Sequence, residues 1–284
     1  MISESGFPIK HICDIDTITR PTFYRWRDKT ELDSDKELRK IIHEIALEFQ
    51  RYGYRRITAE LHRRNISVNS KRVRRIMKEE KLIYKQKKRF KPATTNSNHS
   101  YKIYPNLTKG IEVTGLNQVW VADITYVFLT KEFVYLAAIL DVFSRRCIGW
   151  CLSRNIDTQL TLNALNMAIA NRKPLGFGLI HHSDRGVQYA STAYVEMLNK
   201  HGIKISMSGK GNAYDNAFAE SFMKTLKVEE VYLNEYNTFE EAYRNIEQFI
   251  EEVYNKKRLH SGIGYLPPEE FEQEILNRSK IFLT

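Results

Sequence analysis

A single carboxylate inside an apolar strand constrains this chain more than any other feature of its sequence. Asp123 stands in the run Trp120-Val-Ala-Asp-Ile-Thr-Tyr126, whose apolar and β-branched residues predict a buried strand. A carboxylate in such a strand destabilises the fold unless a cation or hydrogen-bond donors accompany it. We therefore expect the fold to bring a partner for Asp123 to this part of a sheet.

Two further carboxylates stand in different local settings. Asp184 ends the apolar run Leu179-Ile-His-His-Ser-Asp184 and is followed by Arg-Gly, which predicts a turn. Glu220 lies in residues 213–224, whose apolar periodicity predicts a helix. Carboxylates that converge from a strand, a strand end and a facing helix are the ligands that Mg²⁺ or Mn²⁺ prefers. Two such ions about 4 Å apart serve enzymes that cut or join phosphodiesters, and we expect both ions here.

The positive charge of the chain is concentrated in its N-terminal part. The 284 residues carry a formal net charge of +10, from 44 Lys and Arg against 34 Asp and Glu. Residues 1–110 hold 26 basic and 13 acidic residues, a net charge of +13, so the remainder carries −3. This asymmetry favours an N-terminal region that binds a polyanion and a separate acidic catalytic region. The alternative is an N-terminal region that is merely well solvated.

Cysteine usage and apolar runs narrow the class of protein. Cys13, Cys147 and Cys151 include no C-x-x-C pair, so neither a disulfide framework nor a thiolate zinc site is predicted. The N-terminus lacks the basic and apolar regions of a secretory signal. No run approaches the roughly 18 apolar residues of a membrane-spanning helix. We therefore expect a cytoplasmic protein without a membrane partner.

The first 84 residues are predicted to be helical. Residues 1–35 predict a partial helical segment, and residues 36–84 predict three helices, the third capped at Asn69-Ser70. Five basic side chains are expected on the outer face of that third helix as candidate DNA contacts: Lys71, Arg72, Arg74, Arg75 and Lys78. Such a unit fits a helix-turn-helix-like domain that docks on double-stranded DNA. A solvated helix in a small bundle would show the same pattern.

The rest of the chain predicts an α/β domain. Residues 85–112 combine a basic run with Pro, Asn and Ser, which predicts a linker. Over residues 113–275 the predicted elements follow the order βββαβαβα, in which the first three strands form an antiparallel meander. This order predicts a mixed sheet flanked by helices. Residues 276–284 are expected to form a C-terminal tail.

Several long motifs, in this order, resemble one family. They are Tyr52-Gly-Tyr-Arg-Arg-Ile57, Trp120-Val-Ala-Asp-Ile-Thr-Tyr126, His182-Ser-Asp-Arg-Gly-Val-Gln-Tyr189, residues 206–222 around Asn212-Ala-Tyr-Asp-Asn-Ala-Phe-Ala-Glu220, and Tyr254-Asn-Lys-Lys-Arg-Leu-His-Ser-Gly262. The chain resembles insertion-sequence transposases of the retroviral-integrase-like superfamily, which carry an Asp-Asp-Glu triad. Within that superfamily it is similar to the second-reading-frame product of the third insertion-sequence family of bacteria.

The resemblance implies a ribonuclease-H-like fold in which Asp123, Asp184 and Glu220 are the catalytic and metal-binding residues. It implies an enzyme that uses Mg²⁺ to cleave one strand at the ends of a mobile DNA element. The freed 3′-hydroxyl then attacks a phosphodiester. Because paired ends need two active sites, a homodimer or higher multimer on DNA is expected.

The resemblance also makes three basic residues candidate DNA contacts. Lys224 and Lys227 follow Glu220 on the same predicted helix, and a surface ion pair is the alternative for them. Arg258 either contacts phosphate or has a structural role.

Other polar residues leave alternatives open. Asp141 either pairs with Arg145 or Arg146 or joins the cation site. Asp215-Asn216 either cap the helix of Glu220, which we favour, or contribute to the site. His182 is expected to orient the turn at Asp184 rather than to bind zinc.

Two other functions compete with transposition. One is a catalytically silent DNA-binding regulator of transposition on the same fold, and the other is a ribonuclease-H-type nuclease that acts on RNA–DNA hybrids. The complete triad disfavours the first, and the basic N-terminal helices disfavour the second.

Overall fold

The chain divides into two compact units, Met1–Tyr84 and Lys85–Thr284. The structure is a computed structural model that describes residues 33–84, 100–173, 178–209 and 216–281, besides the single positions 19 and 21. Most of the predicted segment 1–35 and of the predicted linker therefore lies outside the described residues.

Three helices form the described part of the N-terminal unit. They are α1 (Asp33–Glu48), α2 (Tyr54–Arg63) and α3 (Ser70–Glu79). The side chain of Asn69 caps α3 by accepting a hydrogen bond from the backbone nitrogen of Lys71 at 2.8 Å. Apolar residues at helical spacing meet in a shared core. Its fully buried members are Ile42, Ile45, Ile57, Leu61, Val73 and Ile76. The predicted three-helix unit is confirmed.

A five-stranded mixed sheet forms the centre of the described part of the second unit. Its strands are β1 (Val119–Phe128), β2 (Phe133–Asp141), β3 (Cys147–Ser153), β4 (Ile180–Ser183) and β5 (Lys204–Met207). They lie in the order β3-β2-β1-β4-β5. The first three pair as an antiparallel meander, whereas β4 pairs parallel with both β1 and β5. The predicted meander and mixed sheet are confirmed.

Helices cover both faces of this sheet. They are α4 (Thr158–Arg172), α5 (Val187–Ala190), α6 (Thr192–Lys200), α7 (Ala217–Leu226), α8 (Phe239–Gln248) and α9 (Pro268–Ile281). π-Helical turns continue α7 over Lys227–Val231 and α8 over Phe249–Tyr254, and a 3₁₀ turn covers Ser261–Ile263. The sequence does not predict α5, the 3₁₀ turn or α9, and α9 occupies residues 276–281 where a tail is expected. No helix in the described part of the chain is long and apolar enough to cross a membrane.

Alternation along β1 divides the core of the second unit into two layers. Val121 and Val127 face a layer that Phe222 of α7 helps to fill. Trp120 faces the opposite layer, which α4 and α6 complete. By the same alternation, the side chain of Asp123 lies on the α7 side of the sheet.

β3 and α4 approach each other most closely at Gly149. A Cβ at this position would stand 2.3 Å from the carbonyl oxygen of Ala164 and 2.7 Å from the backbone nitrogen of Ala168. Both atoms belong to the backbone of α4, so neither can move aside without displacing the helix. Glycine here permits the helix to pack directly on the strand.

We expect Gly149→Ala to destabilise the second unit by about 1–3 kcal/mol or more, since it forces α4 away from β3. For a unit of this size the melting temperature should fall by roughly 2–4 °C per kcal/mol. Gly115→Ala is the matched control, because its new Cβ would meet only the flexible amide of Gln118, at 3.2 Å. Equal melting temperatures for the two variants, measured by calorimetry, would contradict the close packing.

Candidate active site

Two of the three candidate carboxylates lie at the same level of neighbouring parallel strands. The register pairs Val121 of β1 with His182 of β4, and Asp123 and Asp184 each follow two residues later. Neighbouring strands lie about 5 Å apart, and alternation places both side chains on the face that carries α7. The sheet therefore brings together two carboxylates that are 61 positions apart in the sequence.

Asn216 fixes the start of α7 against β1. Its buried side-chain amide nitrogen donates to the carbonyl oxygen of Ala122 at 2.9 Å. The expectation that Asn216 caps α7 is therefore wrong, because its amide satisfies a strand carbonyl and caps no helical N–H. Asp215 lies outside the described residues. Glu220 follows one turn along α7, with an exposed side chain.

The carboxylate form of Asp123 is disfavoured by its surroundings. Burial, and then the negative charge of Asp184, raise the pKa of Asp123 to about 7, and Glu220 acts in the same direction. A hydrogen bond from the backbone nitrogen of Ile124 at 2.9 Å and the positive charge of Lys227 oppose this shift. The three candidate carboxylates thus lie within electrostatic range of one another.

The three side chains suit a hard divalent cation chemically. All offer carboxylate oxygens, and a bound dication would offset the repulsion that raises the pKa of Asp123. Across residues 33–84, 100–173, 178–209 and 216–281, however, no three His, Cys, Asp or Glu side chains stand in the arrangement of a metal site. Glu220 is the exposed member of the three.

Two buried histidines brace the strand that leads to Asp184. His182 is hydrogen-bonded to the hydroxyl of Ser206 on β5 at 2.8 Å, and His181 to the hydroxyl of Tyr194 on α6 at 2.9 Å. Burial lowers the pKa of His181 to about 3, so its ring is neutral at physiological pH. These contacts give both rings a positioning role in the sheet.

Asp141 organises the turn between β2 and β3. Its Oδ1 accepts hydrogen bonds from the backbone nitrogens of Phe143 and Ser144 at 2.9 and 3.1 Å. Its Oδ2 accepts one from the backbone nitrogen of Asn117 at 2.7 Å. Backbone amides are thus the partners of Asp141, in place of the neighbouring arginine or the cation that were expected.

The basic side chains of α3 fall into two groups. Arg72 and Arg75 contact Asp35 on α1, and their hydrogen bonds hold the pKa of Asp35 below its usual value. They therefore connect two helices, a pairing that no local sequence pattern reveals. Three other basic side chains of α3 are exposed: Lys71, Arg74 and Lys78.

Arg258 lies in the interior of the second unit. Its side chain is only 4% exposed, and its Nε and Nη2 each donate to a carboxylate oxygen of Glu229 at 2.7 Å. This bidentate pair uses the two N–H donors, Nε and Nη2, with which the guanidinium would otherwise bind a phosphate. The prediction that Arg258 contacts DNA is therefore corrected in favour of its structural alternative.

The two lysines after Glu220 remain near the candidate site. Lys224 is exposed in the last turn of α7. Lys227 begins the π-helical turn, and its ammonium lies 3.6 Å from the ring centroid of Tyr126. Its charge also lowers the pKa of Asp123, so it lies within electrostatic range of that carboxylate.

Comparison with known proteins identifies the family. Residues 33–90 match the model of an HTH-like domain, and residues 114–213 and 201–268 match two models of an integrase core domain. The chain is 34% identical over 280 residues to the transposase InsF for insertion sequence IS3A of Escherichia coli (strain K12), covering 96% of each protein. The chain belongs to the IS3 family of insertion-sequence transposases. The predicted family is thereby confirmed.

Other relatives agree with this membership in the IS3 family. An uncharacterized 31 kDa protein of insertion element IS600 of Shigella sonnei is 40% identical over 270 residues, 93% of this chain and 98% of its own. A transposase for insertion sequence element IS904 of Lactococcus lactis subsp. lactis (strain IL1403) is 39% identical over 244 residues, 86% and 94% of the two chains. Among solved structures, the catalytic core domain of BIV integrase covers 58% of this chain and 99% of its own, at 19% identity and a TM-score of 0.43. That structural likeness is too weak to bear on mechanism.

Replacing Asp123 with Asn should stabilise the cation-free protein at neutral and alkaline pH. The folded state holds the Asp123 proton up to about pH 7, whereas the unfolded chain releases it near 3.8. Wild-type stability should therefore fall as the pH rises from about 4 to about 7. Asn cannot ionise, so the variant does not lose this stability. At about 1.4 kcal/mol per pKa unit, the loss of folding free energy in wild type is at most roughly 4 kcal/mol.

Melting temperatures in a chelator across this pH range test the prediction. The gap between Asp123→Asn and wild type should widen up to about pH 7 and then stay constant. Added MgCl₂ should narrow the gap, because a cation that binds the folded wild type stabilises it. Glu196→Gln, which changes an exposed carboxylate on α6, is the control and should follow wild type. Parallel pH profiles for wild type and Asp123→Asn would contradict the shifted pKa.

Proposed function

We propose that this chain cleaves one DNA strand at the ends of an insertion sequence and transfers the freed 3′-hydroxyl to another phosphodiester. Asp123, Asp184 and Glu220 are the proposed catalytic and cation-binding residues. The observation that carries the proposal is the position of two carboxylates, Asp123 on β1 and Asp184 directly after the end of β4, beside the helix that carries the third. Family membership supports DNA as the substrate, since the relatives are named as transposases of insertion sequences.

The three carboxylates of the site differ in how firmly the fold holds them, and this suits the proposed chemistry. Asp123 and Asp184 are fixed by the sheet, and the backbone nitrogen of Gly186 donates to Asp184 Oδ1 at 2.9 Å. Glu220 is exposed on a helix that Asn216 anchors, so its side chain can turn inward while its backbone stays in place. Two Mg²⁺ or Mn²⁺ ions held by these carboxylates would supply activation of the attacking oxygen and stabilisation of the leaving one.

The N-terminal unit is the proposed site of double-stranded DNA binding. Residues 1–84 hold 19 basic and 13 acidic residues, a net charge of +6, and α3 presents four exposed basic side chains. Such contacts release counterions and supply affinity that does not depend on base sequence. Lys224 and Lys227 are proposed to contact the DNA strand close to the carboxylates. Since two ends are processed together, we propose a homodimer or a higher multimer on DNA.

Glu220→Gln should abolish cleavage and strand transfer while leaving DNA binding intact. The loss should exceed the roughly 10–100-fold that outer-sphere partners of a metal site cost, because a direct cation ligand is removed. The assay uses a labelled duplex that carries the terminal sequence of the element, with Mg²⁺, and follows nicking and joining on a gel. Glu196→Gln is the matched control, since it makes the same chemical change on an exposed helix of the same unit.

Each competing function has its own outcome in this assay. If wild type and Glu220→Gln nick DNA at the same rate, the proposed triad is wrong. Wild type that binds ends tightly but never nicks them would instead be a silent regulator. Preferential cutting of the RNA strand in an RNA–DNA hybrid would indicate a ribonuclease.

The combined substitution of Lys71 and Lys78 by Ala should weaken DNA binding and its salt dependence. Each lost phosphate contact should reduce the slope of log K against log salt by about 0.9. The matched control replaces Lys36 and Lys40 on α1, which are also exposed, with the same change in charge. Fluorescence anisotropy at several salt concentrations measures both slopes. Identical slopes for the two double variants would mean that α3 is not the DNA-binding face.

A further inference from the structure

Arg145 occupies a strained position in the turn between β2 and β3. Its backbone nitrogen donates to the carbonyl oxygen of Asp141 at 2.9 Å, and its carbonyl oxygen accepts from the hydroxyl of Tyr254 at 3.0 Å. Its φ is +66°, in the left-handed region that disfavours residues with a Cβ. Glycine would adopt this conformation with less strain than arginine.

The side chain of Arg145 is held in one place by two neighbours. Its Cζ lies 4.0 Å from the ring centroid of Phe218, in the first turn of α7. Gly262 approaches so closely that a Cβ there would stand 3.2 Å from Nη2 of Arg145. Phe218 precedes Glu220 by two residues, so the guanidinium lies beside the helix of the proposed triad.

The guanidinium of Arg145 makes no ion pair within the described part of the chain, whereas those of Arg146, Arg154 and Arg258 each pair with a carboxylate. Arg146 next to it contacts Glu272 at 2.9 Å. Burial lowers the pKa of Arg145, since a partly buried cation without an opposite charge is disfavoured. An anion from outside the chain would relieve this cost.

We propose that Arg145 binds a backbone phosphate of the DNA strand that enters the active site. The planar guanidinium matches a phosphate through two parallel N–H donors, and the stacking on Phe218 fixes the direction in which they point. Asp141, at the start of the turn, pairs with Trp120, which precedes Asp123 by three residues on β1. At about 3.3 Å per residue, the turn lies roughly 10 Å along the strand from Asp123. The proposed phosphate therefore lies at least this far along the strand from the scissile one, on the DNA that leads to the carboxylates. The inference rests on the proposed function for its DNA substrate.

Arg154 provides a matched control for a purely structural role of Arg145. Its guanidinium also lies over a phenyl ring, with Cζ 4.5 Å from the centroid of Phe239. It differs in having a carboxylate partner, Glu132, at 3.3 Å. A substitution at either position removes one charge and one stacked guanidinium, but only Arg145 is proposed to contact phosphate.

The experiment compares full-length Arg145→Gln and Arg154→Gln in binding a duplex that carries the terminal sequence, by anisotropy in EDTA. We expect Arg145→Gln to weaken binding and to reduce the slope of log K against log salt by about 0.9, the value for one phosphate contact. Arg154→Gln should retain the wild-type slope. If Arg145→Gln keeps the wild-type slope, or if both variants lose it equally, the inference is overturned.

A second variant keeps the test decisive should Arg145→Gln fold poorly. Arg145→Lys retains the charge but loses the two-pronged geometry, so it should keep the salt slope and bind more weakly than wild type at an equal melting temperature. Wild-type affinity for Arg145→Lys would overturn the inference. Because binding is measured without divalent cations, its outcome is separate from cleavage. If Arg145→Gln reduces the salt slope but wild type never nicks DNA, the inference about Arg145 stands and the proposed function is refuted.

Discussion

The parallel pairing of β1 with β4 is the contact on which the proposed chemistry depends. It joins the antiparallel meander to the second half of the sheet and sets Asp123 and Asp184 at one level. A slip of one residue in this register would send one carboxylate to the opposite face. The buried contacts around the strand pair, from His182 to Ser206 and from Asn216 to Ala122, serve to keep that register and to hold α7 above it.

The same placement makes the site unfavourable for folding in the absence of a cation. Burial and neighbouring negative charge raise the pKa of Asp123. Ionising this side chain in the central strand of the sheet therefore destabilises the folded protein. Apolar layers on both faces of that sheet compensate for this destabilisation. A divalent cation would convert the repulsion into attraction, which couples cation binding to the stability of the second unit.

Local patterns predict the strands and the triad candidates, because they depend on neighbours in the sequence. The apolar run around Asp123 predicts β1 to within one residue of its observed end. Contacts between distant positions leave no such pattern. Arg258 pairs with Glu229 across 29 positions, and Arg72 with Asp35 across 37. Sequence alone therefore predicts both arginines to be available to DNA, whereas the fold gives each a carboxylate partner. The amide of Asn216 likewise bonds to a strand 94 positions away rather than to its own helix.

Net charge alone therefore overstates the surface that DNA can use. Bidentate carboxylate partners occupy the donors of Arg258, and those of Arg72 serve to join two helices. The guanidinium groups that matter for DNA are those that the fold positions but does not neutralise. Arg145 meets both conditions, because a ring and a glycine fix its direction while no carboxylate in the described chain pairs with it. The left-handed turn thus presents one oriented positive charge beside the first turn of α7, and a phosphate of a bound DNA strand would give it the opposite charge that the described chain does not.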